Sequence, residues 1–198
     1  GAKIFKAVSK TYPYDKLVDS PVHAKIKEVE ANDKIKVYTG ATIQKTDGQP
    51  GQFDVTLSNG ETLRVGAFVM ATGWRPYDKS NLPNLGGNLP NVVSSLEFEE
   101  IAKNGKITRP SDGKEAKKVA FIQCAGSRDP EHLPYCSSFC CATSLKQAKY
   151  VREASDDASA LIFYRDIRTP GQNEILYKSL QDDPGIMLTK ADVKAVTE

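Results

Sequence analysis

The sequence predicts an α/β fold, and three observations support this prediction. Residues 34–70 are rich in β-forming side chains and contain the turn pairs Asp47-Gly48 and Asn59-Gly60. Residues 117–198 alternate short apolar runs with helical patterns, in the order strand, helix, strand, helix, strand. Much of the proline and glycine lies between these two parts. Together the patterns predict a Rossmann-like dinucleotide-binding fold with a β-meander and a parallel βαβαβ unit.

The first part, residues 1–76, is expected to contain a short helix and the meander. Ser20 followed by Pro21 is a typical helix start, which predicts a helix over residues 19–29. Strands are predicted over residues 35–43, 53–57 and 61–65, with a tight turn at Asn59-Gly60. The apolar run over residues 66–70 is expected to continue as a buried strand.

Residues 77–116 are predicted to connect the two parts, with one short helix over residues 96–102 capped by Ser94 or Ser95. In residues 117–198 we predict strands at 117–123, 160–164 and 185–188. Helices are predicted at 138–154 and 173–181. Three such strands joined by two helices form half of a doubly wound fold.

Composition excludes several classes of protein. The 198 residues carry a formal net charge of +2, with acidic and basic residues interspersed, so no nucleic-acid partner is expected. No apolar run approaches the roughly 20 residues of a membrane span. The first ten residues lack an apolar signal region, which favours a cytoplasmic protein. The start at Gly1-Ala2 suggests a piece of a longer protein.

All four cysteines lie in one window, with the spacing C-x11-C-x3-C-C: Cys124, Cys136, Cys140 and Cys141. Four thiols suit a [4Fe–4S] cluster, although a structural zinc, a redox-active dithiol and unligated buried thiols are alternatives. Cys136 and Cys140 would share one face of a helix, near an N-terminus that lowers thiol pKa. His132 lies between the cysteines, where an exposed loop residue is a simpler interpretation than a metal ligand.

Cys124 stands where a dinucleotide-binding loop would carry its first glycine, and of those glycines only Gly126 remains. A nicotinamide site is therefore not expected there. Ala71-Thr72-Gly73 follows an apolar run and would let a flat or phosphorylated ligand approach the backbone, or would simply form a turn. Arg165 and Arg168 could bind an anion or lie in a charged loop. No catalytic arrangement stands out.

Four stretches of the sequence resemble the flavin-containing A subunit of heterodisulfide reductase. They are Val69-Met70-Ala71-Thr72-Gly73-Trp74-Arg75-Pro76, residues 121–130, Tyr135-Cys136-Ser137-Ser138-Phe139-Cys140-Cys141 and residues 166–171. They are also similar to the related flavin subunit of the quinone-interacting membrane-bound oxidoreductase. The resemblance covers most of residues 35–190.

The resemblance implies an internal fragment of a thioredoxin-reductase-like oxidoreductase that holds FAD in the full-length protein. It implies a [4Fe–4S] cluster on Cys124, Cys136, Cys140 and Cys141, and flavin or cofactor contacts at Ala71, Thr72, Gly73 and Arg168. It also implies electron relay to partner subunits of a redox complex, and it leaves room for a homodimer. Two other functions stay open: a degenerate nucleotide-binding scaffold that docks partners, and a nicotinamide-dependent disulfide reductase.

Overall fold

The computed structural model describes residues 3–198, which divide into two compact units. One unit comprises residues 24–75, and the other comprises residues 3–23 and 76–198. Helix α1 (Val22–Glu30) crosses the boundary between them in sequence and confirms the predicted early helix.

The unit of residues 24–75 is built on an antiparallel meander of three strands, β3 (Ile43–Gln49), β4 (Gln52–Leu57) and β5 (Thr62–Val65). Val55 of the central strand pairs with Thr46 on one side and Leu63 on the other. Alternation along β4 buries Val55 and Leu57, and the turn at Asn59-Gly60 joins β4 to β5 as predicted.

The prediction of a strand over residues 35–43 is wrong except at Ile43, where β3 begins. The segment makes side-chain contacts instead of backbone ladders. Tyr38 donates its hydroxyl to Glu61 Oε1 at 2.8 Å, and Lys36 Nζ lies 3.1 Å from the same oxygen. The β-propensity of this segment was not sufficient to form a strand, because no neighbouring strand in residues 3–198 pairs with it.

The prediction of a buried strand over residues 66–70 is also wrong. These residues form no strand, and Val69 and Met70 are 89% and 72% exposed. A fully buried strand needs pairing on both edges and cover on both faces. None of the sheets in residues 3–198 provides this for the run.

The second unit contains the predicted parallel βαβαβ arrangement. Strands β6 (Lys118–Ile122), β7 (Ser159–Tyr164) and β8 (Ile186–Lys190) form a parallel sheet with β7 in the centre. They are connected by α3 (Cys140–Ala154) and α4 (Asn173–Gln181). The α/β class and the Rossmann-like strand order are confirmed, and the carboxyl ends of the three strands share one edge.

A hairpin and one more α-helix also belong to this unit. A short hairpin of β1 (Lys6–Val8) and β2 (Leu17–Asp19), which the sequence did not predict, precedes the boundary. Helix α2 (Ser95–Ala102) was predicted, and Ser94 caps it: its hydroxyl accepts from Glu97 N while Glu97 accepts from Ser94 N. This reciprocal capping explains why a helix of two turns is stable at this point.

The hydrophobic core lies between the parallel sheet and its helices. Leu145 and Val151 of α3, Ile162 of β7 and Leu176 of α4 are fully buried, and Phe98 of α2 packs edge-on against Phe121 of β6. Each such side chain stabilises the fold by about 1.5–3 kcal/mol through burial. The core thus fixes the sheet edge that leads into residues 124–141, which contain all four cysteines and are called the cysteine segment.

A buried polar network joins three elements of the same unit. Glu99 of α2 is 3% exposed and lies 3.0 Å from Lys146 Nζ of α3. It also accepts from Phe5 N at 2.8 Å and from Gln147 Nε2 at 2.9 Å, and lies 3.1 Å from the Tyr150 hydroxyl. Burial raises the pKa of Tyr150, so this hydroxyl stays a donor.

Among residues 3–198, no helix combines the length and the apolar character that crossing a bilayer requires.

Candidate functional site

The cysteine segment leaves the sheet at the carboxyl end of β6. Cys124 has a φ of 60°, the left-handed conformation that glycine adopts easily, and Gly126 has a φ of 74°. Cys124 therefore adopts a backbone conformation that is typical of glycine. We call residues 124–136 the cysteine loop.

The cysteine loop folds back on itself, so that its two ends lie side by side. Arg128 N donates to Tyr135 O at 3.0 Å, Asp129 N to Leu133 O at 3.1 Å, and Leu133 N to Gly126 O at 3.3 Å. These bonds bring the arm that follows Cys124 next to the arm that leads into Cys136. The backbone before Cys136 is thereby joined to the backbone after Cys124.

The start of the following helix differs from the prediction. Helix α3 begins at Cys140 rather than near Cys136 to Ser138, because Ser138 has a φ of 64° and interrupts any earlier helical turn. Cys136 and Cys140 therefore do not share a helix face. Cys136 instead lies in the loop, where its Sγ accepts from Ser138 N at 3.3 Å.

Cys140 and Cys141, the first two residues of α3, have pKa values that are shifted in opposite directions. A hydrogen bond from the Cys141 side chain is the main cause that lowers the pKa of Cys140 to about 6. The Ser137 side chain and the backbone N–H groups of Cys124 and Cys141 contribute, while burial opposes the shift. The same hydrogen bond and burial raise the pKa of Cys141, which remains a thiol. The main cause of the lowered pKa at the start of the helix is thus a neighbouring thiol.

Cys124 belongs to the same group of sulfur atoms. Burial raises its pKa, and the Arg128 guanidinium, 3.9 Å from Cys124 Sγ, acts in the opposite direction. The charge of Cys140 also raises the pKa of Cys124, and Cys124 in turn affects Cys141. Cys124, Cys140 and Cys141 therefore lie within electrostatic reach of one another at the carboxyl edge of the sheet.

The cysteine segment suits an iron–sulfur cluster by the chemistry of its donors. All four cysteines are free thiols, and Cys124, Cys140 and Cys141 interact electrostatically. Beside them, the buried Ser137 Oγ has no partner in the described part of the chain that meets the geometry of a hydrogen bond, although this side chain helps to lower the pKa of Cys140. Residues 3–198 contain no group of three or more Cys, His, Asp or Glu side chains in the arrangement of a bound metal ion.

The other predicted site residues lie in different places. Ala71, Thr72 and Gly73 belong to the unit of residues 24–75 and are exposed. Arg168 lies in the other unit, where its backbone N–H faces the sulfur of Cys141 while its side chain is exposed. Arg165 pairs with Asp192 at 2.9 Å and donates to Arg128 O at 3.2 Å.

The sequence did not indicate the role of Arg128. Its guanidinium connects Cys124 to Asp166, whose Oδ2 lies 2.8 Å away, and it holds the pKa of that carboxyl low. Asp166 also accepts through its carbonyl from Cys141 Sγ at 3.7 Å. The four-residue spacing of Cys124 and Arg128 was visible, but the partner after β7 could be found only from the fold.

A cavity of about 140 Å³ adjoins Cys124 at this sheet edge. Gln123, Cys124 and Gly126 line it together with Arg165 and Asp192. Gln123 is 7% exposed, and its Nε2 has no partner among the described residues. The cavity lies where ligands bind in open α/β sheets, although nothing in its lining favours one class of ligand.

No protein-family model matches the chain. Curated proteins do match. The chain is 37% identical over 142 residues to the second iron–sulfur A subunit of the CoB–CoM heterodisulfide reductase of Methanopyrus kandleri, an alignment that covers 68% of this chain and 22% of that protein. It is 36% identical over 144 residues to the A subunit of the H2:CoB–CoM heterodisulfide, ferredoxin reductase of Methanothermobacter marburgensis, covering 69% and 22%.

The chain belongs to the family of heterodisulfide reductase A subunits. A third member, from Methanocaldococcus jannaschii, is 33% identical over 144 residues. The chain spans about a fifth of the length of these relatives. Among solved structures, a thioredoxin reductase from Gloeobacter violaceus matches all of this chain and 53% of its own, with 11% identity and a TM-score of 0.28. The resemblance inferred from the four sequence stretches is thus confirmed at the level of the family.

Proposed function

We propose that this chain is the cluster-carrying segment of an oxidoreductase of the heterodisulfide reductase type. In the full-length protein it would relay electrons between flavin, iron–sulfur clusters and partner subunits in the cytoplasm. The observation that carries this proposal is the convergence of Cys124, Cys140 and Cys141 at the carboxyl edge of the parallel sheet. Membership of a family whose relatives are named as iron–sulfur subunits supports it.

Each residue of the segment has a defined part in this proposal. Cys124, Cys136, Cys140 and Cys141 would hold a [4Fe–4S] cluster, which supplies one-electron transfer when bound. The backbone N–H groups of Cys124 and Arg168 already point to cysteine sulfur atoms and would offset thiolate charge. Arg128 adds a fixed positive charge beside Cys124.

The flavin contacts are proposed on separate grounds. Ala71, Thr72 and Gly73 are small and exposed, so their backbone is accessible to a flat ring system. We assign residues 1–76 to the flavin-binding part, 77–116 to a connection and 117–198 to the cluster-bearing unit. FAD would be held in the full-length protein, and other electron-transfer subunits would be its partners.

Anaerobic reconstitution tests the cluster. The chain is incubated with ferrous iron, sulfide and a thiol reductant, and then desalted. We expect about four iron and four sulfide per chain, broad visible absorbance, and an EPR signal after reduction by dithionite. Separate serine substitutions of the four cysteines should each lower the iron content, whereas Ser144→Ala in α3 should leave it unchanged.

The other outcomes identify the alternatives. A colourless protein that still binds partner subunits would support the scaffold function and contradict the cluster. One tightly bound zinc per chain would show a structural metal site. Thiol turnover with NADH in the absence of iron would show a disulfide reductase.

A further inference from the structure

Tyr77 contacts both arms of the cysteine loop, although it lies outside the loop. It is 55 residues before His132 in sequence and follows the start of the second part of its unit at Pro76. The arms are already joined by backbone hydrogen bonds. Tyr77 is a side chain from elsewhere in the unit that contacts both arms, one through its ring and the other through its hydroxyl.

The ring of Tyr77 packs directly on the first arm at Gly126. A Cβ placed on Gly126 would lie 2.4 Å from Cδ1, 2.7 Å from Cε1 and 2.9 Å from Cγ of this ring. Gly126 is buried and has a φ of 74°. Two independent requirements, close approach and left-handed backbone, thus restrict this position to glycine. The ring therefore fixes the backbone two residues after Cys124.

The hydroxyl of Tyr77 contacts His132, which precedes the second arm of the loop. It lies 2.7 Å from Nδ1 of His132, and the two rings meet edge-on with centroids 5.6 Å apart. His132 is itself held in a turn, since its N–H donates to Asp129 O at 3.1 Å. From the sequence, His132 could be either an exposed loop residue or a metal ligand. In the structure its Nδ1 instead pairs with the Tyr77 hydroxyl.

We propose that Tyr77, through Gly126 and His132, is the positioning residue that keeps the cysteine loop closed, so that Cys136 is held near Cys124 for cluster assembly. The part of this inference that concerns the cluster rests on the proposed function. Fixing the loop before assembly reduces the conformational entropy that ligation must overcome. Tyr77 does not need to touch a sulfur atom for this role.

Hydrogen exchange of the metal-free chain tests the closure directly. The probes are the amides that bridge the arms: Arg128, Asp129 and Leu133. Tyr77→Ala should speed their exchange by about tenfold or more, while Tyr77→Phe, which loses one hydrogen bond worth about 1 kcal/mol, should speed it by about fivefold. Gly126→Ala should resemble Tyr77→Ala. His132→Asn, which retains an acceptor near Nδ1, should lie closer to wild type than His132→Leu.

Tyr135→Ala is the matched control, because Tyr135 lies in the same loop but its side chain is 61% exposed. It should leave the bridging amides unchanged. Unchanged exchange in Tyr77→Ala would overturn the proposal. An equal acceleration across β6 and β7 would also overturn it, since Tyr77 would then only support the whole unit.

Reconstitution provides the second readout. Tyr77→Ala should lose iron to a chelator about tenfold faster than wild type, and Tyr135→Ala is again the control. Iron loss at the wild-type rate, with the bridging amides exchanging faster, would overturn the link between closure and the cluster. Failure of wild type itself to take up iron would contradict the proposed function but leave the exchange test of closure intact.

Discussion

Cys140 illustrates how one residue acquires its chemistry from its neighbours. As the first residue of α3 it receives hydrogen bonds from the Cys141 side chain and from the backbone of Cys124. These favour the thiolate, so that its pKa falls to about 6 although burial favours the neutral thiol. The pKa of Cys140 is therefore lowered and that of Cys141 is raised, so Cys140 is the more easily ionised of the two.

Alkylation of the metal-free chain should reflect this difference. Only thiolates react with iodoacetamide, so Cys140 should react faster than Cys141 at pH 7. The rate at Cys140 should rise between about pH 5 and 7 and level off above its pKa of about 6. Mass spectrometry of digests after timed quenching measures both rates.

Cys141→Ser provides the control for the cause of the shift. A serine hydroxyl can still donate, so the low pKa of Cys140 should largely persist, whereas Cys141→Ala should move the midpoint of its alkylation to higher pH. Identical midpoints in wild type and Cys141→Ala would contradict the assigned cause.

At the scale of elements, the buried network around Glu99 joins β1, α2 and α3. One carboxylate accepts from a backbone N–H of the N-terminal segment and from two side chains of α3, and it pairs with Lys146. Lys146 also donates to Lys6 O at 3.0 Å, which connects the hairpin to the same point. The hairpin is therefore joined to the helices by polar contacts as well as by Val8 and Leu17, which pack against the hydrophobic core.

Glu99→Leu should destabilise the fold by about 3–5 kcal/mol, because it leaves Lys146 buried without its counter-charge. Urea unfolding followed by circular dichroism measures the change. Glu100→Leu, at the exposed pair with Lys103, is the control and should cost less than about 1 kcal/mol. The double variant Glu99→Leu/Lys146→Met should recover much of the loss. Equal effects of Glu99→Leu and Glu100→Leu would show that the network is not important.

Elements with local signals could be predicted from the sequence. Helix α2 has its capping box within four residues, and helix α4 was predicted with its observed bounds. The prediction of a strand at residues 66–70 was wrong because the burial of a strand depends on neighbouring strands, which the local sequence does not reveal. The predicted start of α3 was wrong because Ser138 has a left-handed backbone, which depends on the fold of the preceding loop.

The sequence indicates the four candidate ligands, which remain a prediction, but it does not indicate the residues that support them. The close spacing of the four cysteines in the sequence indicates a common site. Tyr77 and Asp166 reach the cysteine loop from distant parts of the chain, and Arg128, within the loop, contacts Asp166. The residue types of all three are common on any surface. Only the folded structure shows that they converge.

At the scale of the whole molecule, the two units differ in how much apolar surface they bury. The core cluster around the parallel sheet lies entirely within residues 76–198. In residues 24–75, Val55 and Leu57 are the buried hydrophobic residues that the structure shows. Since burial is the main source of stability, the unit of residues 24–75 should open more readily.

Hydrogen exchange of the whole chain should therefore separate the units. Amides of β6, β7 and α3 should exchange at least about a hundredfold more slowly than those of β3 and β5, after correction for intrinsic rates. The comparison is made within one sample, so solvent conditions are shared. Equal protection in both units would contradict this distribution of stability.

The left-handed backbone of Cys124 has a consequence for the evolution of the fold. Cys124 and Ser138 hold φ values near 60°, a conformation that costs a non-glycine residue about 1–2 kcal/mol. Glycine would relieve this cost at either position. At Ser138 such a replacement retains every thiol, whereas at Cys124 it removes one of the four thiols that we propose as cluster ligands. Under the proposed function, selection for stability and selection for the cluster would therefore conflict at Cys124 but not fourteen residues later.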